Sequence, residues 1–143
     1  MIVYLDTSAI VKLYAAESES AEVKRLFNDA QEIASSLLAY AETRSALARK
    51  HRMRQMSEKQ LNTSRDEFEA DWASFIKVSV DGYLIRVAGD LAERFSLKAY
   101  DAIHLASADQ IQREVRSPTW FVCFDAALSR AASSLGLKLT SST

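Results

Sequence analysis

The 143-residue chain has few of the residues that interrupt or cross-link a fold: one cysteine, one proline and three glycines. A single cysteine excludes an internal disulfide and fits a reducing compartment. So little glycine and proline excludes collagen-like repeats, flexible linkers and a turn-rich β-sandwich. Two histidines, far apart in sequence, leave no zinc motif. No apolar run approaches the roughly 20 residues of a membrane span. The start, Met-Ile-Val-Tyr-Leu-Asp, lacks the basic region and cleavage site of a signal peptide. Charge of one sign is lacking as well. Eighteen basic residues face nineteen acidic ones, for a net charge of −1. That excludes a globally basic nucleic-acid binder but allows a local basic patch. The expectation is one cytoplasmic domain spanning residues 1–143, with no membrane association.

Apolar residues make up 48% of the chain, and their pattern alternates between strand and helix. Ile2-Val3-Tyr4-Leu5 is apolar on both faces, as a buried central strand should be. Thr7 and Ser8 are good helix caps, and a helix is expected from Ala9 to Ala16. Further helices are predicted from Ser18 to Ala30, Leu37 to about His51, Ser57 to about Trp72, Asp81 to Phe95, Tyr100 to Arg113 and Ala126 to Leu135. Ser57-Glu58-Lys59-Gln60 has the form of a capping box. Strands are predicted at Ile33–Ser35, Phe75–Val80, Trp120–Phe124 and Leu137–Thr140, and the tail Ser141-Ser142-Thr143 is expected to fray. Strands separated by helices imply an α/β fold with a central parallel sheet covered on both faces.

In such a fold, sites form beyond the carboxyl ends of the strands. Asp6 and Asp125 each directly follow one of the two most apolar strands. Either one alone could be a helix cap. Glu42 borders the packed side of its helix, where an unpaired carboxylate is costly, so it needs an arginine or a cation. Asp101 opens the otherwise apolar helix Tyr100-Asp101-Ala102-Ile103-His104-Leu105-Ala106, as cap or as ligand. Four carboxylates gathered together repel and call for a neutralising cation. An all-oxygen set favours Mg²⁺ or Mn²⁺. Asp109 lies two turns beyond Asp101, too far to share that ion. His104 reads as a helix-face residue and Cys123 as core.

These segments carry a resemblance. Asp6-Thr7-Ser8, Glu42 within Ala39-Tyr40-Ala41-Glu42-Thr43-Arg44-Ser45-Ala46-Leu47, the Tyr100–Ala106 run, and Phe124-Asp125 followed by Leu128, Ala131, Ala132 and Gly136 resemble the PIN domain. Within it they resemble the VapC-type ribonuclease toxins of toxin–antitoxin modules. The resemblance spans nearly the whole chain in order. It implies a three-layer α/β/α sandwich, Mg²⁺- or Mn²⁺-dependent RNA cleavage, a homodimer, and inhibition by a small cognate antitoxin. It places Asp6, Glu42, Asp101 and Asp125 on the family's acidic positions, as catalytic and metal-binding residues. Thr7 or Ser8 falls on the hydroxyl position that supports the first Asp. Many relatives carry Thr or Ser two residues before the last Asp, and here that residue is Cys123.

Between Thr43 and Ser57 lie Arg44, Arg49, Lys50, Arg52 and Arg54, with no acid among them. They suit a helix C-terminus, and they equally suit an RNA backbone beside the acidic site. Arg44, close to Glu42, is a candidate phosphate contact. Tyr14, Tyr40 and Tyr100 could stack bases or pack in the core. Leu13, Tyr14, Leu37, Leu38 and Tyr40 are expected to form a groove for an antitoxin segment. Two other classes fit less well. A phospho-acceptor receiver domain would need paired acids after the first strand, where Asp6 stands alone. A silent RNA- or partner-binding module would have lost one of the four acids. An RNA-processing PIN nuclease is the remaining alternative.

Overall fold

A computed structural model describes residues 1–140. The tail expected to fray, residues 141–143, lies outside the described residues. The elements run β1 (Ile2–Leu5), α1 (Thr7–Tyr14), α2 (Ser20–Asp29), β2 (Glu32–Ser36), α3 (Leu38–Arg52), α4 (Glu58–Trp72), β3 (Ile76–Val78), α5 (Gly82–Phe95), α6 (Ala99–Val115), β4 (Thr119–Val122), α7 (Ala126–Ser134) and β5 (Lys138–Leu139). The five strands form one sheet in the order β3-β2-β1-β4-β5, and every pairing is parallel. No helix among the described residues is long and apolar enough to cross a membrane.

The central strand shows why the sheet has two covered faces. Side chains alternate across a strand. Val3 and Leu5 therefore enter a core with α1–α4 residues such as Ile10, Val23, Leu47 and Phe68. Ile2 and Tyr4 enter the opposite core, with Leu84 and Leu91 of α5, Leu105 of α6 and Leu128 of α7. Tyr4 stacks on Phe121 of β4 at 5.4 Å between ring centres. Burying an aromatic ring of this kind contributes about 1.5–3 kcal/mol. The α/β/α sandwich expected from the alternation is the observed fold.

Boundaries shift where polar atoms find local partners. The first helix starts at Thr7, because Asp6, rather than Thr7 or Ser8, is its N-cap and accepts from the Ala9 N–H. The second starts at Ser20, whose hydroxyl bonds to the Glu17 N–H and the Ala15 carbonyl, leaving Ser18 outside. The Ser57–Gln60 capping box forms as predicted. Three strands are shorter than predicted, with β3 only Ile76–Val78, β4 ending at Val122 and β5 only Lys138–Leu139, whereas β1 matches its run and β2 extends to Glu32–Ser36.

The strand order places the site. The chain runs outward from β1 through β2 to β3, then crosses back to put β4 on the other side of β1. The β1–β4 junction is thus the switch point where an open parallel sheet leaves a crevice. Leu5 pairs with Val122 there, and the Asp6 N–H extends the ladder to the Val122 carbonyl at 3.2 Å.

Candidate active site

Asp6, Glu42, Asp101 and Asp125 all line one cleft of about 220 Å³ at that switch point, together with Thr7, Ser8, Tyr100, His104 and Phe124. The four acids come from the end of β1, from α3, from the first turn of α6 and from the cap of α7. Asp6 is buried, at 6% exposure. Its Oδ1 accepts from the Ser8 hydroxyl at 2.7 Å and from the Ala9 N–H at 3.0 Å. Burial nonetheless raises its pKa, and the neighbouring Glu42 charge adds to the rise. Asp101 is also raised, first by desolvation and then by the charges of Asp125 and Asp6. Two acids whose ionised forms are disfavoured at one cleft mark a site in want of positive charge.

Glu42 behaves in the opposite way. Partial burial pushes its pKa up, but hydrogen bonds from His104 and Thr7 outweigh that and hold it below the usual carboxylate range. Its Oε1 accepts from the Thr7 hydroxyl at 2.6 Å and lies 2.8 Å from His104 Nε2. Glu42 forms no ion pair with an arginine among the described residues; its partners are His104 and Thr7. The hydroxyls following Asp6 divide their work: Ser8 supports Asp6, whereas Thr7 supports Glu42.

Asp125 caps α7 by accepting from the Leu128 N–H at 2.8 Å, and it is exposed. It is thus a cap and a cleft residue at once. Cys123 does not face it through a carboxylate contact. The thiol approaches Ser129 Oγ at 3.2 Å and the Asp125 backbone carbonyl at 3.8 Å. Burial pushes that thiol up to about 11, so it is a protonated core residue at neutral pH. Asp109 stands apart, tied to Arg113 Nε and Gln112 Nε2, each at 2.8 Å, on a different cavity between α5 and α6.

The basic stretch divides in the structure. Arg44 donates to Tyr40 Oη at 2.7 Å and to Glu69 at 3.0 Å, and it is not among the residues lining the cleft. Its expected place beside the acids is therefore corrected: α3 turns it toward α4. Lys50 pairs with Glu17 at 2.5 Å. Arg49 and Arg52 are exposed on the last turns of α3, and neither makes an ion pair among the described residues. Tyr14 and Tyr40 pack against Phe68, and Tyr40 also packs against Trp72. Tyr100 alone of the three is exposed at the cleft, at 47%. The expected apolar groove is likewise revised. Leu13 and Tyr14 line a hollow with Lys24, Phe27, Glu67 and Asp71, which Leu37, Leu38 and Tyr40 do not share.

His104 is the residue that periodicity misjudged. It is 2% exposed, and besides Glu42 it meets Tyr4 Oη at Nδ1 (2.8 Å) and Thr7 Oγ1 at Nε2 (3.1 Å). The available signal was its position one turn after Asp101, inside a helix whose other residues are apolar.

The donor chemistry suits a hard divalent ion: carboxylates, hydroxyls and no thiolate. Among the described residues, no group of three or more His, Cys, Asp or Glu side chains is arranged to close on one ion. A hard ion that keeps part of its water shell and takes one or two carboxylates directly, as Mg²⁺ does, needs no such closed set.

The family follows from these features together with the comparisons. The sequence model of the PIN domain matches residues 3–134. Ribonuclease VapC45 of Mycobacterium tuberculosis is 37% identical over 107 residues, covering 75% of this chain and 74% of its own. Ribonuclease VapC46 of the same species is 32% identical over 135 residues, covering 94% and 93%. Among solved structures, M. tuberculosis VapC20, a sarcin–ricin loop cleaving toxin, superposes with a TM-score of 0.66 at 18% identity over 90% of this chain and 94% of that one. VapBC2 of Rickettsia felis, solved on a DNA fragment from its promoter, superposes at 0.65 with 14% identity over 98% of both chains. The chain belongs to the PIN-domain family, on its VapC branch.

Proposed function

We propose that this protein is a metal-dependent endoribonuclease and the toxin of a toxin–antitoxin pair. The observation that carries the reading is the meeting of Asp6, Glu42, Asp101 and Asp125 on one cleft at the sheet's switch point. The two relatives, 37% identical over 107 residues and 32% over 135, are ribonucleases by name, which supports the same substrate class.

Asp6 and Asp101 are the residues that would hold Mg²⁺ or Mn²⁺, because burial disfavours their ionised forms even with the bonds Asp6 accepts from Ser8 and Ala9. When bound, the ion supplies a water of lowered pKa and positive charge for the phosphate oxygens. Glu42, kept ionised by Thr7 and His104, orients the attacking water. Asp125, exposed at the rim, would hold water around the ion or a second ion. Ser8 fixes the Asp6 carboxylate. Arg49, Arg52 and Lys50 on the end of α3 meet the RNA backbone, and Tyr100 offers a face to a base.

The partner is a small antitoxin. A cleft rich in carboxylates suits an inserted arginine, which would bond two of them at once. The hollow lined by Leu13, Tyr14 and Phe27 offers apolar contact to the same partner. The active form is a homodimer in the cytoplasm. Expression of the chain alone is expected to slow growth with RNA cleavage, and Asp6→Asn to relieve both. Harmless expression in the native host, with no small protein co-purifying, would replace the toxin reading with that of an RNA-processing nuclease.

A further inference from the structure

Buried imidazoles need partners at both nitrogens. His104 has them, and they run in a line from the core to the cleft: Tyr4 Oη at Nδ1, and Thr7 Oγ1 and Glu42 Oε1 at Nε2. The order of donation at Nε2 follows from proton counting. The Thr7 hydroxyl has one hydrogen and gives it to Glu42 Oε1 at 2.6 Å. Its oxygen can then only accept, and the Glu42 carboxylate can only accept. Nε2 must therefore carry the hydrogen that both share. Thr7, His104 and Glu42 form a closed triangle of hydrogen bonds with edges of 2.6, 2.8 and 3.1 Å.

The triangle ties α6, on one face of the sheet, to α1 and α3, which pack together on the other. Its base is rigid. Tyr4 and His104 are each at most 2% exposed, and the Tyr4 ring is wedged by stacking on Phe121 and by edge packing against the His104 ring at 5.9 Å. Its tip is the Glu42 carboxylate, with a quarter of its side chain exposed toward the cleft it lines. Glutamate has three rotatable bonds, and fixing it costs side-chain freedom. Something must hold it if it is to present one geometry to the reaction.

We infer that His104 is a positioning residue of the ribonuclease reaction: it touches neither substrate nor ion, and it clamps the Glu42 carboxylate in register with Asp6 through its bonds to Glu42 and Thr7, with Tyr4 fixing the ring. This rests on the proposed reading of the cleft as a metal-dependent site. It assigns the Tyr4 hydroxyl and the His104 ring to the catalytic apparatus, although both are core residues by burial. Outer partners of this kind typically contribute about 10–100-fold to metal affinity or activity.

The test uses the whole protein and substitutions that separate shape from hydrogen bonding. His104→Leu fills the site without a donor, His104→Gln returns an N–H close to the Nε2 position, and Tyr4→Phe removes only the hydroxyl. Three quantities are read: cleavage of an RNA substrate, uptake of Mn²⁺ followed by its paramagnetic resonance, and the ring N–H signal of His104. The chain has only two histidines, which makes that signal assignable. In the wild type the His104 Nε2–H signal should be downfield and protected from exchange, and Glu42→Gln should move it upfield. His104→Leu should lower cleavage by about 10-fold or more and weaken Mn²⁺ uptake while the protein still melts cooperatively, with His104→Gln regaining most of both. Tyr4→Phe should fall between them. If His104→Leu and His104→Gln lose activity equally and in proportion to melting temperature, the role is structural and the inference is overturned. If wild-type protein takes up Mn²⁺ and His104→Leu does so equally well with full cleavage, it is overturned again. If the wild type takes up no Mn²⁺ while the Nε2–H signal responds to Glu42→Gln, the reading of the cleft has failed, and the positioning role falls with it although the clamp stands.

Discussion

His104 Nε2 lies 2.8 Å from Glu42 Oε1, joining residues 62 positions apart at the mouth of the acidic cleft. The bond explains why two carboxylates of one site differ in kind. Glu42 has hydrogen-bond donors and stays ionised below the usual range, whereas Asp6 and Asp101 are pushed above it. The cleft thus contains one carboxylate kept ionised by hydrogen bonds and two whose ionised forms burial disfavours.

The first prediction follows from that difference. Asp6→Asn and Asp101→Asn should each lower RNA cleavage on the order of 10³-fold, since direct ion ligands contribute several kcal/mol to the transition state. Neither should lower metal-free stability, because each removes a disfavoured charge from a repelling set. Asn can also cap α1 in place of Asp6. Activity assays paired with thermal melts check this. Loss of activity that tracks loss of folding would mark these residues as caps only.

Asp125→Asn should be milder than Asp6→Asn. Asp125 is exposed, it already spends an oxygen on the Leu128 N–H, and Asn retains that cap. Parallel cleavage rates of the two variants decide the point. Equal losses would show that Asp125 is as close to the reaction as Asp6.

The pKa directions give a pH dependence with two limbs. Asp6 and Asp101 bind protons more readily when folded, so their contribution favours the folded state in acid and is lost as pH rises through their raised values. Glu42 has the opposite sign: its contribution is present above the ordinary carboxylate range and lost as pH falls through its lowered value. Metal-free protein should therefore gain stability at mildly acidic pH relative to neutral, and Asp6→Asn should flatten that gain. Added Mn²⁺ should stabilise the neutral form by about 2.7 kcal/mol at a hundred times its dissociation constant. Melts across pH with and without metal measure both limbs, and a wild-type profile identical to that of Asp6→Asn would remove the physical basis for the ion.

Much of this was legible in the sequence. The alternation of apolar strands with amphipathic helices was enough for the parallel sheet, and the carboxyl-end rule was enough to place Asp6 and Asp125. Three things were not. The cap of α1 could not be separated from the site, because Asp6 serves both. Arg44 could not be removed from the site by spacing, because its direction depends on Glu69 of α4, which only the packing of α3 against α4 brings near. His104 could not be promoted, because its partners come from β1, α1 and α3, at sequence distances of 62 to 100 residues that no local pattern carries.

The end of α3 yields a further expectation. Reversing Arg49 and Arg52 to Glu should weaken RNA binding and reduce its salt slope by about 0.7 for each phosphate no longer neutralised. Mn²⁺ uptake should change little, since neither residue lines the cleft. Lys50→Glu would confound the measurement by setting a second acid against Glu17. Unchanged RNA affinity in the double variant would reduce the stretch to a solvated helix end.

The most direct test of the metal-dependent site is cleavage of RNA by purified protein in excess EDTA, followed by return of Mg²⁺ or Mn²⁺, with Asp6→Asn carried in parallel. Cleavage should vanish in chelator, return with either ion, and stay absent in the variant throughout. Cleavage that continues at the same rate in chelator would contradict the account.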